Sequence, residues 1–332
     1  MSEPTMRDVA IRAGVGLGTV SRVVNGGQSV RAETAERVKA AILELGFQRN
    51  EIARALRPGM KSRTLAVLLG DLTNPFYATL AKTAVEIARS REYAVVLSTV
   101  DEDPQAEQRA VRELIGRRVA GLLIVPDQGN HEFVSAEPAA STPIVFVDRP
   151  ASGVTADVVM VDNDRGGWLA TNHLVEVGHR RIAILIAPSY YTTGQRLRGY
   201  RRALREAGIA VDDSLIVRLP VGSSEAASAA ATELMGRRNP PTAIFASTNF
   251  LAEGVLRAVQ QRGARIAVVG FDDFRFADML PVPATVVASD VAELSRRATE
   301  LLLDRIDGAE LPPQRIVLPV QLIQRGSGEV PA

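Results

Sequence analysis

The chain has no cysteine, one tryptophan, three histidines and only 5% aromatic residues among its 332 positions. Without thiols it can form neither disulfides nor thiolate metal centres, which fits a reducing compartment. His131, His173 and His179 are not spaced with acidic partners as metal ligands are, so no metal site is expected. No run of about 20 apolar residues is available to span a bilayer. The first residues are polar rather than an apolar signal segment, so the expectation is a cytoplasmic protein with no membrane attachment. No heptad pattern precedes Ala332 that would build an assembly beyond a dimer. No nucleophile–base pair or pair of catalytic carboxylates stands out either, so neither an enzyme nor a cofactor is expected.

What is present is unevenly distributed. At this length one core is unusual and two or three domains are the prior. The formal net charge is only +1. Residues 1–63 carry eleven Lys and Arg against six Asp and Glu, a balance of +5, which leaves 28 against 32, or −4, for the rest. A basic N-terminal segment suits nucleic acid, although a charge run alone reads equally well as solvated surface.

The pattern inside that segment is more specific. Met6, Val9, Ala10 and Ala13 recur at helical spacing after a polar Thr5, and Gly14 is a good helix C-terminal residue. After the short turn Gly14-Val15-Gly16, a second apolar set at Val15, Val20, Val23 and Val24 leaves Leu17, Gly18, Ser21, Arg22 and Asn25 facing away. A third helix carries Ala35, Val38, Ile42 and Leu45 and stops at Gly46. Helix, glycine turn and helix make a helix-turn-helix, whose second helix enters a major groove. Arg22 is then the candidate for a bidentate contact to guanine. Thr5, Thr19, Ser21 and Asn25 are short donors suited to phosphate oxygens. Gly14, Gly16 and Gly18 do not form a dinucleotide loop, because no strand precedes them and the spacing is wrong.

Beyond Pro58 the texture alternates. Strands are expected near Leu65–Leu69, Ala94–Leu97, Leu122–Val125, Ile144–Val147, Ile182–Ile186, Ala243–Phe245 and Ile266–Val269, with helical stretches between them, the first from Phe76 to about Arg91. Such alternation implies doubly wound α/β layers with parallel sheets covered on both faces. No internal repeat is visible.

The segments TVSRVVNG from Thr19, ERVKAAILELGF from Glu36 and NEIARALR from Asn50 resemble the lac-repressor family of bacterial transcription regulators. The likeness continues through NPFY from Asn74, VDN from Val161, GHRRIA from Gly178, RLRGYRRAL from Arg196 and VVGFDD from Val268. It implies an α/β protein with an N-terminal three-helix DNA-binding domain (1–48), a hinge helix and linker (49–63), and two lobes of the periplasmic-binding-protein type (64–332), the chain crossing between lobes more than once. It further implies a homodimeric repressor on double-stranded, palindromic operator DNA, controlled by a small effector, a carbohydrate or related metabolite.

By the same resemblance, Leu17 and Gly18 hold the positions that choose bases. Leu56 is the minor-groove wedge of the hinge with Ala53 beside it, and Asn50 and Arg54 hold the backbone. The bland reading of residues 50–57 is a linker, since isolated helices so short are marginal in water. Three positions depart from the family pattern: Gly16 replaces a helix-capping Ser, Gly18 offers no side chain to a base, and Arg49 stands where Pro is usual. An interior glycine costs about 1 kcal/mol of helix stability.

In two-lobed binding folds the ligand sits at the carboxyl ends of the strands. The residues that match family pocket positions are Asp71, Phe76, Asp148, Arg149, Arg196, Asn249 and Asp272. Mundane alternatives accompany most of them. Asp71 and Asp272 can cap helices, Arg149 before Pro150 can be a turn residue, and Phe76 can belong to the core. Trp168 reads as packing rather than ligand stacking. Two classes compete: a sugar-binding transport component would need export and gives the first 60 residues no role, and an enzyme on the same lobes would need a nucleophile with a base, paired carboxylates or a metal site, none of which stands out.

Overall fold

The computed structural model describes residues 4–24, 30–47, 62–100, 104–136, 139–187 and 190–332. The chain divides into two compact units, Met1–Ser62 and Arg63–Ala332.

The first unit contains α1 (Met6–Ala13), α2 (Leu17–Val24) and α3 (Ala32–Leu45) around Val9, Val20 and Val38, each fully buried. Thr5 caps α1 in a reciprocal box: its Oγ1 accepts the Asp8 N–H at 3.4 Å, and the Thr5 N–H donates to Asp8 Oδ2 at 2.8 Å. Gly14 ends α1 at φ 64°, where its own N–H and that of Val15 return to the carbonyls of Ile11 and Ala10. Arg37 of α3 donates to the Ala13 and Gly14 carbonyls at 2.5 and 3.3 Å, placing a cation on the negative end of α1.

The second unit is built of two lobes. In the first, the sheet has the order β11-β5-β4-β3-β1-β2, with β1 at Thr64–Leu69, β2 at Ala94–Thr99, β3 at Gly121–Ile124, β4 at Ile144–Val147, β5 at Asp157–Val161 and β11 at Arg315–Leu318. Its helices are α4 (Pro75–Ser90), α5 (Pro104–Gly116) and α10 (Val291–Ile306). Alternation along β1 divides the core: Leu65, Val67 and Leu69 pack with α4 and α10, while Ala66 and Leu68 pack with α5 residues. The second sheet has the order β12-β10-β9-β8-β6-β7, with β6 at Ile182–Ile186, β7 at Ile216–Arg218, β8 at Ala243–Ala246, β9 at Ala267–Phe271, β10 at Thr285–Ala288 and β12 at Gln321–Ile323. Its layers are α6 (Asn163–Glu176) and α7 (Tyr191–Glu206) on one face, and α8 (Ser224–Met235) and α9 (Asn249–Arg262) on the other.

The chain passes between lobes three times, from β5 to α6, from β10 to α10 and from β11 to β12. The seven expected strands are all present, and the helix expected from Phe76 starts at Pro75. Five further strands, β5, β7, β10, β11 and β12, were not anticipated. Three of these are short, partly exposed edges, and the other two end at the interlobe crossings, so none carries a long periodic signal. The lobes also repeat one strand order although no sequence repeat is visible, with the difference that β11 runs parallel to β5 whereas β12 is antiparallel to β10.

Two glycines bring α6 and α7 together. A Cβ on Gly167 would lie 2.1 Å from the Arg196 carbonyl oxygen, and one on Gly199 would lie 2.1 Å from the Asp164 carbonyl oxygen. Gly18 is the opposite case, with nothing within 4 Å of its would-be Cβ. Gly18→Ala is therefore expected to stabilise the N-terminal unit by about 0.5–1 kcal/mol. Gly167→Ala should destabilise the second unit by about 1–3 kcal/mol or more through forced separation of the helices. Urea unfolding of each variant measures both, and equal effects would refute the distinction.

Candidate functional site

On the helix-turn-helix, the Gly16 carbonyl accepts the Thr19 and Val20 N–H groups at 2.9 and 3.3 Å and so starts α2 without a side-chain cap. Val20 points inward, while Leu17 is 48% exposed and Gly18 and Arg22 are also exposed. Thr19 and Ser21 are half-buried beside them. This is the face on which base and phosphate contacts are expected. Thr5 has a different assignment: its hydroxyl lies 2.6 Å from Asp8 Oδ2, so that donor is engaged in the cap of α1. That hydrogen bond also holds the Asp8 carboxyl below the usual carboxylate range. Asn25, Asn50, Ala53, Arg54 and Leu56 lie outside the described residues.

In the second unit, the carboxyl ends of the strands of both lobes open onto one cavity of about 590 Å³, lined by all seven expected residues, Asp71, Phe76, Asp148, Arg149, Arg196, Asn249 and Asp272. Arg196 is its buried centre, 4% exposed, and lies in the second turn of α7. Its Nε donates to Asn163 Oδ1 at 2.8 Å. Its Nη1 donates to the Ser247 carbonyl at 2.6 Å and to Asp272 Oδ2 at 3.2 Å, and the guanidinium carbon lies 3.4 Å from the Phe271 ring centroid. Nη2 makes no hydrogen bond to a described residue.

Asp148 and Asp272 occupy matching places in the two lobes. Each follows a strand with a left-handed backbone, φ 73° and 65°. Each N–H continues the ladder to the next strand, Asp148 to Val159 at 2.9 Å and Asp272 to Val287 at 2.8 Å. Burial pushes both carboxyls above their ordinary pKa. The charges of Arg149 and Arg196 pull Asp148 back and Asp272 adds to its rise, while Arg196 restrains Asp272.

The other expected residues divide. Asp71 accepts the Thr73 N–H at 2.7 Å and its hydroxyl at 2.5 Å, so it shapes a local turn at the rim, and Asn74 is the residue that caps α4. Phe76 is both core and wall, nearly buried and edge-on to Tyr77 at 5.3 Å. Arg149 is no exposed turn residue: its Nε donates to the Pro126 carbonyl and its plane covers Tyr190, 4.5 Å from the ring centroid. Asn249 donates to Asn74 Oδ1 at 2.8 Å and accepts the Phe250 N–H at 2.8 Å.

Asn74, Tyr77, Asp127, Tyr190, Ser224, Phe250, Glu253 and Arg257 also line the cavity and were not anticipated. Asp127 was within reach of the argument that found Asp148, since it too follows a strand. The loop bearing Asp127 is held from below: buried Glu107 accepts the Asp127 N–H at 2.5 Å and lies 3.0 Å from His131 Nε2. His131 Nδ1 accepts the Ser152 N–H at 3.2 Å, which puts the ring proton on Nε2. Trp168 is remote from the cavity, bonded to Glu206 at 2.6 Å and covered by Arg165 at 4.1 Å.

A helix-turn-helix joined to two lobes that close over a polar cavity defines a ligand-responsive DNA-binding regulator. Residues 5–50 match the family profile for bacterial regulatory proteins of the lacI family, and 171–328 match that of a periplasmic binding protein-like domain. The transcriptional regulator CelR of Thermobifida fusca is 36% identical over 98% of both chains. DegA of Bacillus subtilis is 33% identical over 97% of both, and the ribose operon repressor of Escherichia coli 33% identical over 97% of this chain and 99% of its own. The crystal structure of the lac repressor dimer bound to operator and the anti-inducer ONPF superposes with a TM-score of 0.87 at 27% identity, covering 98% of this chain and 99% of the other. The CelR–cellobiose complex gives 0.74 at 34%, covering 98% and 100%. The chain belongs to the lac-repressor family and is a DNA-binding transcription regulator. Among the described residues, no helix is long and apolar enough to cross a membrane.

The raised carboxyl of Asp148 carries a sign. The folded state binds its proton more tightly than the unfolded chain, whose carboxylate titrates near pH 4, so this group's contribution to stability falls as pH rises from there through the raised value. Asn tolerates the same left-handed backbone. Asp148→Asn is thus expected to melt at a higher temperature than the parent at pH 7, with the two converging near pH 4. A lower melting temperature at pH 7 would contradict the burial argument.

Proposed function

We propose that this protein is a dimeric repressor acting inside the cell. It reads a near-palindromic operator with α2 and the segment 50–57, and is controlled by a neutral carbohydrate larger than one ring. The observation that carries the ligand class is the charge of the cavity wall. Among the described residues of the wall, Asp71, Asp127, Asp148, Glu225, Glu253 and Asp272 face only Arg149, Arg196 and Arg257, and Arg196 is partly neutralised by Asp272. Such a wall disfavours phosphorylated or acidic sugars and offers many acceptors to hydroxyl groups.

Phe76, Tyr77, Tyr190 and Phe250 supply apolar faces for a sugar ring. The cavity extends from the buried floor at Arg196 to an exposed rim at Val221 and Glu225, room for more than one ring. The cellobiose complex of the related CelR supports that size. No catalysis is part of this reading.

Dimerisation is assigned to apolar surface on both lobes. Phe276, Met279 and Val282 are 56%, 73% and 51% exposed beside a groove of about 740 Å³ lined by Leu256, Phe274 and Leu280. Phe276 is held there at φ 66°, a backbone that bulky residues avoid. On the first lobe the edge strand β2 shows Val96 and Leu97 to solvent. A second copy is the partner that suits both patches, and the dimeric state of the related lac repressor supports it.

Selection of binding sites from a random duplex pool tests the main reading. A palindrome with a central CG step is expected, its enrichment altered by a neutral disaccharide and not by a sugar phosphate. Arg196→Lys should keep the palindrome while weakening sugar affinity by roughly 10–100-fold, because the fork to the ligand is lost. An asymmetric half-site, or a response to the phosphate alone, would defeat the proposal. For the dimer, Met279→Asp should raise the dimer dissociation constant by roughly 30-fold or more in sedimentation equilibrium. An unchanged constant would remove this face from the interface.

A further inference from the structure

Among the polar groups of the cleft, Asn74 and Asn249 join the lobes by a direct hydrogen bond. Asn74 belongs to the first lobe, where its Oδ1 accepts the Phe76 N–H at 3.0 Å and caps α4. Asn249 is the first residue of α9 in the second lobe and is 1% exposed. Its Nδ2 donates to the same Asn74 Oδ1 at 2.8 Å, across 175 residues of chain. Amide oxygen and nitrogen are usually hard to tell apart, but here each oxygen is identified by a backbone donor. Asn74 must turn its oxygen to the Phe76 N–H, and Asn249 must turn its oxygen to the Phe250 N–H at 2.8 Å. Only the Asn249 nitrogen is then left to meet the Asn74 oxygen.

We propose that Asn74 and Asn249 form a neutral clasp that holds the lobes together without a ligand and thereby sets the concentration at which the effector acts. The inference rests on the reading of the cleft as an effector site. A bond between lobes that needs no effector stabilises the closed arrangement in the free protein, and a ligand that selects that arrangement then binds with less of its energy spent on closure. The clasp is one of several bridges. Arg149 of the first lobe stacks on Tyr190 of the second, and Arg315 Nη2 donates to the Tyr191 hydroxyl at 2.9 Å. Its loss should therefore shift the balance rather than abolish closure, by roughly two- to tenfold, the weight of one net hydrogen bond.

The chemistry makes a sharp test. Asn249→Asp keeps the shape and the acceptor for the Phe250 N–H, but sets a carboxylate oxygen against the Asn74 oxygen. Asn74→Ser keeps a cap for α4 and shortens the side chain, so the bond cannot reach. With no native cysteine, spin labels can be placed without background on Glu113→Cys of α5 and Glu233→Cys of α8, whose side chains are 63% and 74% exposed in the parent. Interlobe distances are then measured without sugar or DNA, in labelled chain diluted with unlabelled chain.

The parent is expected to favour the shorter distance. Each variant should lower the closed-to-open ratio by roughly two- to tenfold, Asn249→Asp the more, and the double variant should fall short of the product of the two. Unchanged distance distributions in both single variants, or full additivity in the double, would overturn the clasp. Because neither sugar nor operator enters the measurement, that failure is separate from any failure of the carbohydrate or repressor readings.

Discussion

A guanidinium taken out of water must have its charge and its donors met, and the second lobe is arranged around meeting the charge and the Nε and Nη1 donors of Arg196. The partners come from the start of α6 through Asn163, the end of β8 through Ser247, and the end of β9 through Phe271 and Asp272. Three separate elements are thereby registered against α7. The approach is possible because Gly167 lets α6 reach the Arg196 backbone and Gly166 leaves room for the Phe271 ring, 2.4 Å from where its Cβ would stand. The same demand explains why Asp272 sits in a left-handed backbone: it must leave the ladder after its N–H has paired with Val287 and still turn its carboxylate to the cation.

The two lobes answer one geometrical problem twice. Asp148 and Asp272 each end a strand, keep one more ladder bond and project into the cleft from opposite sides, so each lobe contributes a buried carboxylate to a shared floor. Arg196 is the cation between them. A polar floor with aromatic walls recognises a hydroxylated ring from its edge and its face together, and closure of the lobes removes the water that would compete.

Much of this was legible in the sequence because it depends on local periodicity or on strand ends. The three N-terminal helices follow from apolar spacing and from Gly14 and Gly46, both left-handed as helix-ending residues. The seven cleft residues were named because they match family pocket positions, and they meet because carboxyl ends of parallel strands converge on one crevice. What escaped depends on pairs distant in sequence or on short elements. The Asn74–Asn249 bond spans 175 residues, and Glu253 and Arg257 reach the cleft only because of how α9 packs. Thr5 shows the opposite failing: the Thr-x-x-Asp box was present in the sequence, yet the hydroxyl read as a phosphate donor is committed to Asp8.

The triple crossing between lobes bears on how the chain comes to be folded at all. The first lobe takes α10 from residues 291–306 and its last strand, β11, from residues 315–318. Leu294, Ala298, Leu302 and Ile306 of α10 cover one side of its core. During synthesis from the N-terminus, β1, β2, β3, β4 and β5 emerge early with that side covered by α4 alone, and α10 arrives only after most of the remaining chain. The second lobe, apart from its short β12 edge, is assembled from the continuous run 163–288 in the meantime. The lobe written first therefore waits longest for its core to close, and its half-covered apolar face is where a nascent chain of this architecture is most exposed to wrong partners.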